Sequence, residues 1–147
     1  MAIVGGGVTG CACALRLAEA GKRVRLFEAR EIAGGASGRN GGFALRGGAP
    51  AYDVARRELG AEQARGLWVL TERYLDRLER LAGDAFRRTG SLRLAADSDE
   101  GAELEAEYEA LRDDGFAVEW RRDLPEPLAG RFDGAIHRAV TSIDTGC

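Results

Sequence analysis

The chain has few of the residues that most often signal a disulfide framework, a metal site or a histidine-based catalytic centre. It contains three cysteines, one histidine and three prolines among 147 residues. Cys11 and Cys13 lie two residues apart on a predicted helix, where side chains do not face each other. We therefore interpret them as small packing residues and predict neither a disulfide nor a metal site. His137 stands alone near a predicted strand end, and we assign it no catalytic role.

The chain also lacks a long apolar run and an excess of basic charge. No stretch is long enough to span a bilayer, and the first residues enter a predicted strand without the charged region and apolar segment of a signal peptide. The formal net charge is −3, which gives no indication of a nucleic-acid-binding patch. We therefore expect a cytoplasmic protein with no membrane span and no nucleic-acid partner.

Glycine is abundant, with 21 residues, and its first cluster is the most informative part of the sequence. Residues 5–10 read Gly-Gly-Gly-Val-Thr-Gly and lie between a short apolar run, Ala2–Val4, and a predicted helix. Gly5 permits a sharp exit from the strand, Gly7 lets a pyrophosphate approach the backbone, and Gly10 lets the helix pack closely. The N–H groups at the helix start and the positive end of the helix dipole would face the phosphates.

An acidic residue follows at the distance that a dinucleotide site requires. Gly21 ends the helix, a second strand is predicted at Val24–Phe27, and Glu28 stands at its carboxyl end, about 20 residues after the turn. A carboxylate there accepts hydrogen bonds from ribose hydroxyls and repels a 2′-phosphate, which disfavours NADP. The order of elements predicts a Rossmann-like βαβ unit, but the turn alone does not distinguish FAD from NAD.

A second glycine-rich segment, residues 34–42, favours FAD. A plain NAD-binding domain usually passes from its second strand into another crossover, whereas this chain enters a long loop of small residues that allow close approach to a flat ligand. Arg39 can offer charge-assisted hydrogen bonds to a phosphate or an electron-rich ring, and Ser37 and Asn40 can bond neutral polar edges. A flexible surface loop is the alternative interpretation of this composition.

Three blocks of the sequence resemble the start of FAD-dependent amine and amino-acid oxidases of the D-amino-acid oxidase, or glycine oxidase, superfamily. The blocks are residues 3–10 (IVGGGVTG), 26–29 (LFEA) and 35–42 (GASGRNGG), of which the third is most similar to the gamma-glutamylputrescine oxidase branch. The resemblance implies that FAD is bound, with its pyrophosphate on the first turn, its adenosine ribose on Glu28, and the later block running towards the flavin. The implied cofactor-binding residues are Gly5, Gly7, Val8, Thr9, Gly10, Glu28, Ala29, Arg30, Ala36, Ser37, Arg39, Asn40 and Gly41.

The resemblance also implies a reaction, the oxidation of a C–N bond in a small amine or amino-acid substrate, with dioxygen or another electron acceptor. No pair of acid and base in the sequence suggests catalytic residues, which we expect beyond residue 147. The resemblance covers less than half of a full family member, so we expect an N-terminal fragment that is inactive alone. Two alternatives stay open: an NAD-binding dehydrogenase module, which residues 34–42 disfavour, and a non-catalytic truncated remnant.

The rest of the sequence predicts more helices and strands in an α/β chain. Helices are predicted at 52–60, 61–82 and 98–114, strands at 86–88, 91–95, 117–120 and 134–137, and a turn at 124–127. Helical spacing puts seven residues of 61–82 on one face that we expect in the core: Ala64, Leu67, Trp68, Thr71, Leu75, Leu78 and Leu81. We predict part of an FAD-binding domain at 1–83 and the beginning of an α+β substrate domain at 84–147, which together make an incomplete fold.

Overall fold

The computed structural model describes residues 1–121, 124, 126 and 128, and the backbone of two strands at 134–138 and 141–143. The contacts divide the chain into two compact units, one built from residues 1–42 and one that begins at Phe43. The predicted boundary near residue 83 separates an FAD-binding domain from a substrate domain. It is not the boundary between these two compact units, and it stays a prediction.

The first unit is a βαβ motif, as the sequence predicts. Strands β1 (Ala2–Val4) and β2 (Arg25–Phe27) are parallel, and helix α1 (Val8–Glu19) connects them. Gly21 has a φ of +72°, and its N–H and that of Lys22 bond back to carbonyls of the last helical turn, which ends α1. Because both strands run in the same direction, the glycine turn and the residue after β2 lie at the same edge of the sheet.

The packing of α1 is looser than its sequence pattern predicts, since helical spacing puts Ala14, Leu17 and Ala18 on one face that should cover the sheet. Ala14 and Leu17 are half-buried, but Ala18 is exposed, and no residue of Val8–Glu19, all of which the structure describes, is fully buried. A sheet of only two strands is too narrow to cover a helix face completely. The same narrowness leaves Val4 of β1 mostly exposed.

Three α-helices lie in the part of the second unit that the structure describes, and each confirms a predicted one: α2 (Tyr52–Leu59), α3 (Ala61–Ala82) and α4 (Ser98–Asp113). Gly83, with a φ of +54°, ends α3. Asp97 caps α4, because its carboxylate accepts the N–H groups of Asp99 and Glu100 at 3.0 and 2.9 Å. No helix within the described ranges is both long and apolar enough to cross a membrane.

Six strands accompany these helices: β3 (Phe43–Ala44), β4 (Phe86–Arg87), β5 (Ser91–Ala95), β6 (Val118–Arg121), β7 (Gly134–Arg138) and β8 (Thr141–Ile143). They form two antiparallel sheets with the orders β3–β8–β4 and β5–β7–β6. In the second sheet, Leu92 lies opposite His137 and Trp120 opposite Ile136. The strands predicted near β4, β5, β6 and β7 are confirmed, whereas β3 and β8 were not predicted. The prolines of the predicted turn at 124–127 lie outside the described residues.

The core of the second unit lies among α2, α3 and α4. The ring of Tyr52 stands 4.9 Å from that of Trp68 and 5.3 Å from that of Phe116, both edge to face. The predicted core face of α3 is correct only in part. Ala64, Trp68 and Leu75 are buried, but Leu67 and Leu81 are exposed. The expectation that these two leucines lie in the core was wrong, because the apolar arc of α3 is wider than the side that packs against α2 and β4.

Candidate dinucleotide site

The glycine turn between β1 and α1 leaves the main chain bare at the start of the helix. Gly5 has a φ of +100°, which favours glycine, and its N–H donates to the Phe27 carbonyl at 2.8 Å. Gly7 is the N-cap of α1, and a Cβ there would press against Ser37 Oγ at 3.1 Å. A Cβ on Gly10 would overlap the Gly5 carbonyl oxygen, so α1 can begin this close to the turn only with glycine at position 10.

The first turn of α1 presents N–H groups that the helix itself does not use. The first intrahelical hydrogen bond runs from Cys11 N–H to the Gly7 carbonyl at 2.9 Å, so the N–H groups of Val8, Thr9 and Gly10 precede it. Val8 N–H donates instead to Ser37 Oγ at 2.9 Å. With the positive end of the helix dipole behind them, these groups favour an anion such as a phosphate.

The Glu28 carboxylate lies against the same turn, directly after β2. Its Oε2 accepts the N–H of Gly6 at 2.7 Å, and its Oε1 accepts the N–H of Arg30 at 3.0 Å. The hydrogen bond from Gly6, and then that from Arg30, lower the pKa of Glu28 below its ordinary value. The carboxylate is therefore ionised at neutral pH, and each oxygen keeps acceptor capacity for a ribose hydroxyl.

The segment after Glu28 folds back onto the turn, which the sequence did not reveal. The N–H of Ala33 donates to the Gly6 carbonyl at 2.9 Å. A Cβ on Gly6 would meet Ile32 Cδ1 at 2.6 Å and the Glu28 side chain at 3.2 Å, so a side chain at this buried position would displace Ile32. The dinucleotide motif accepts any residue at position 6. The only sequence signal for this contact was that position 6 is glycine, like positions 5 and 7.

The polar side chains of the second glycine segment mainly stabilise their own loop. Arg39 Nε donates to the Gly35 carbonyl at 3.4 Å, and Asn40 Nδ2 donates to the Ser37 carbonyl at 2.8 Å. Asn40 Oδ1 in turn accepts the N–H of Gly42 at 2.8 Å. All three contacts lie within residues 35–42, and the alternative of a flexible surface loop stays open.

The thirteen predicted cofactor residues divide into two groups. The structure brings together those of the turn, the β2 acid and one loop hydroxyl: Gly5, Gly7, Val8, Thr9, Gly10, Glu28, Arg30 and Ser37. The others are exposed: Ala29, Ala36, Arg39, Asn40 and Gly41. For all thirteen residues, contact with a cofactor stays a prediction. The first group has the chemistry that a diphosphate next to a ribose requires, since the N–H groups of a helix start and an ionised carboxylate stand at one sheet edge.

Comparisons of sequence agree with this chemistry. Residues 1–145 match a family described as DAO, FAD dependent oxidoreductase. The chain is 38% identical over 144 residues to gamma-glutamylputrescine oxidoreductase of Escherichia coli K12, which covers 95% of this chain and 32% of that protein. It is also 36% identical over 74 residues to the probable oxidoreductase OrdL of Haemophilus influenzae, covering 50% of this chain and 17% of that protein.

A solved structure shares the fold as well. Glycine oxidase from Geobacillus kaustophilus superposes with a TM-score of 0.69 at 26% identity, and the match covers 98% of this chain and 40% of that one. The chain spans about a third of the length of gamma-glutamylputrescine oxidoreductase, the first relative named above.

Proposed function

Because the chain belongs to the DAO family of FAD-dependent oxidoreductases, we propose that its first unit binds the adenosine diphosphate part of FAD. We further propose that the whole protein oxidises a C–N bond of an amine or amino acid. Family membership and the shared fold confirm the resemblance and the fold class that the sequence predicted. The cofactor and the reaction are the steps that require an experiment.

One observation carries the cofactor proposal, the convergence of a bare helix start and an ionised carboxylate at the glycine turn. The N–H groups of Thr9 and Gly10, at the start of α1, would donate to a phosphate. Ser37 Oγ, which already bonds Val8 N–H, stands where it can donate to a phosphate oxygen. Glu28, at 2.7 Å from Gly6 N, would accept the ribose hydroxyls.

The names of two similar proteins support the proposed substrate class. One is a gamma-glutamylputrescine oxidoreductase and the other a glycine oxidase, and both named substrates carry nitrogen on a carbon that can be oxidised. FAD, when bound, would accept the hydride from that carbon. The role of the residues described here would be to hold and orient the cofactor, and we assign no catalytic residue among them. Dioxygen or another electron acceptor would reoxidise the flavin.

The cofactor proposal is tested by titrating the purified chain with FAD, ADP and NADH and measuring each dissociation constant by calorimetry. We expect FAD and ADP to compete for one site and NADH to bind more weakly. Glu28→Ala should weaken FAD binding by about 1–3 kcal/mol, roughly 5- to 150-fold, because ribose hydrogen bonds are lost. Glu19→Ala, which removes an exposed acid of α1, is the matched control and should bind FAD as the unmodified chain does.

The same titration separates the other interpretations. Tighter binding of NADH than of FAD would support an NAD-binding module. A folded chain that binds neither nucleotide would support a non-catalytic remnant. Either result would contradict the proposal.

A further inference from the structure

A cavity of about 250 Å³ lies within the second unit. Its described lining residues all belong to that unit: Arg46, Glu72, Leu75, Asp76, Arg88 and Ala117. The volume is slightly below the range of about 300–1,000 Å³ that is usual for pockets of drug-sized ligands, so it suits a small molecule. Two arginines and two acids line the cavity, so its walls carry charges of both signs.

Arg46 is a buried cation whose hydrogen bonds are incomplete. Its side chain is only 3% exposed, and Nη1 donates to Glu72 Oε1 at 2.5 Å. The Nε and Nη2 atoms are also buried, but neither has an acceptor within the part of the chain that the structure describes. Buried donors in proteins nearly always have a partner, so these two nitrogens indicate that a ligand supplies the acceptor.

The contacts of the Arg46 guanidinium leave one edge of it for that ligand. The ring of Phe116 covers a face of the guanidinium, with Cζ 5.0 Å from the ring centroid, and Glu72 occupies Nη1. The Nε–H bond and one Nη2–H bond run side by side along the remaining edge, and this edge fits the two oxygens of a single carboxylate. Because Glu72 and Arg46 both line the cavity, their ion pair lies at its wall.

We propose that the cavity binds a small molecule with a single carboxylate, which accepts hydrogen bonds from Nε and Nη2 of Arg46. Glu72 and Asp76 oppose a second negative charge, so a monocarboxylate fits better than phosphate or a dicarboxylate. Arg88 is already held by Asp76 at 2.6 Å and by Glu79 at 2.8 Å. None of these residues belongs to the candidate dinucleotide site, so the proposal does not depend on FAD.

The proposal is tested by titrating the ¹⁵N-labelled chain with sodium acetate, without any nucleotide, and following the side-chain Nε–H signal of Arg46. We expect this signal and the backbone amides of Leu75, Asp76 and Ala117 to shift together and saturate, because a bound carboxylate changes the hydrogen bonding of Nε directly. Sodium chloride at the same ionic strength should leave these signals in place. Sodium phosphate should bind more weakly than acetate.

Arg46→Lys tests the two-pronged hydrogen bond, because lysine keeps the positive charge but lacks the planar edge. Acetate binding, now followed by the backbone amides, should weaken by about tenfold or more. Arg112→Lys is the matched control. Arg112 also has an acidic partner, Asp113, and an aromatic ring, Tyr108, but its side chain is 57% exposed and does not line the cavity. This variant should bind acetate as the unmodified chain does.

Four results would overturn the proposal. They are no shift of the Arg46 Nε–H signal in the folded chain, the same shift with chloride, phosphate binding as tight as that of acetate, or acetate binding that Arg46→Lys leaves unchanged. If Arg46→Lys does not fold by circular dichroism, Glu72→Gln decides the question. Its amide oxygen can still accept from Nη1, but a negative charge beside the guanidinium is gone. Acetate should therefore bind more tightly, and unchanged or weaker binding would refute the site.

Discussion

Gly6, Gly7 and Gly10 are glycines for three different reasons. A side chain at Gly6 would meet Ile32 and Glu28, one at Gly7 would press against Ser37 Oγ, and one at Gly10 would overlap the Gly5 carbonyl oxygen. All three constraints come from the protein's own packing.

Gly10→Ala separates the packing constraint from helix propensity. Alanine is favoured over glycine in a helix by about 1 kcal/mol, but here its Cβ would overlap the Gly5 carbonyl oxygen. We expect the overlap to dominate and to lower the free energy of unfolding by about 1–3 kcal/mol. Urea denaturation followed by circular dichroism measures this difference. Unchanged or increased stability would mean that the turn is not as close to α1 as described.

Glu28 should make the stability of the protein depend on pH. Its pKa is lowered in the folded state, chiefly by the hydrogen bond from Gly6 N–H, so the carboxylate stabilises the fold above its unfolded pKa of about 4.3. That stabilisation is lost as the pH falls through the lower folded-state pKa. We expect Glu28→Gln to be less stable than the unmodified chain at pH 7, with the difference shrinking as the pH falls below about 4. Thermal unfolding of both proteins between pH 7 and pH values below about 4 measures this difference in stability. A difference that does not change with pH would contradict the role of Glu28.

The sequence predicted those site residues whose neighbours are set by a short motif. Gly7, Gly10 and Glu28 stand at fixed places in a strand–turn–helix–strand pattern, so their positions follow from spacing. The bond between Ser37 Oγ and Val8 N–H joins residues 29 positions apart. No local pattern encodes such a pairing, and the cover of Gly6 by Ile32 was missed for the same reason.

Among the elements, helices were easier to predict than short strands. Gly83 and Asp97 mark helix ends by their own backbone preferences, so the bounds of α3 and α4 could be read nearly to the residue. Strands β3 and β8 have two and three residues, too few for an alternating pattern to appear. The face of α3 was misjudged because spacing shows where apolar residues lie but not which of them a neighbour covers.

Gly66→Ala tests α3 as an element. Gly66 lies inside the helix, and a Cβ there would meet nothing within 4 Å. Alanine should therefore raise the free energy of unfolding by about 0.5–1 kcal/mol, the difference in helix propensity. Urea denaturation measures this change. Gly66→Ala is also the control for Gly10→Ala, because a Cβ at position 66 meets no other atom. A loss of stability would indicate that position 66 is packed against another part of the protein.

At the scale of the whole molecule, one buried acid connects three elements of the second unit. Glu107 of α4 is 1% exposed, accepts the Tyr52 N–H at the start of α2 at 3.1 Å, and pairs with Arg93 of β5. Three elements thus meet at one carboxylate. Because a buried donor loses its acceptor when this carboxylate is removed, the cost should be larger than that of a surface pair.

We expect Glu107→Ala to lower the free energy of unfolding by about 2–3 kcal/mol. Glu105 lies on the exposed side of the same helix, and Glu105→Ala gives the same gain in helix propensity. This control should change the free energy of unfolding by less than about 0.5 kcal/mol. Chemical denaturation of the two variants compares them directly. Similar values would show that Glu107 does not connect the three elements.

Each of the two units leaves large apolar side chains exposed among its described residues. Val4 of β1 is 88% exposed in the first unit, and Leu70 and Tyr74 of α3 are 47% and 61% exposed in the second. The candidate nucleotide site consists of residues of the first unit.

The most direct measurement is a titration of the ¹⁵N-labelled chain with ADP, followed by the amide resonance of each residue. If the first unit binds the adenosine diphosphate of FAD, the amides of Gly7, Val8 and Gly10 and those next to Glu28 should shift together and saturate, and FAD should shift the same set. Saturating shifts at other residues only, or none in a folded chain, would contradict the central claim.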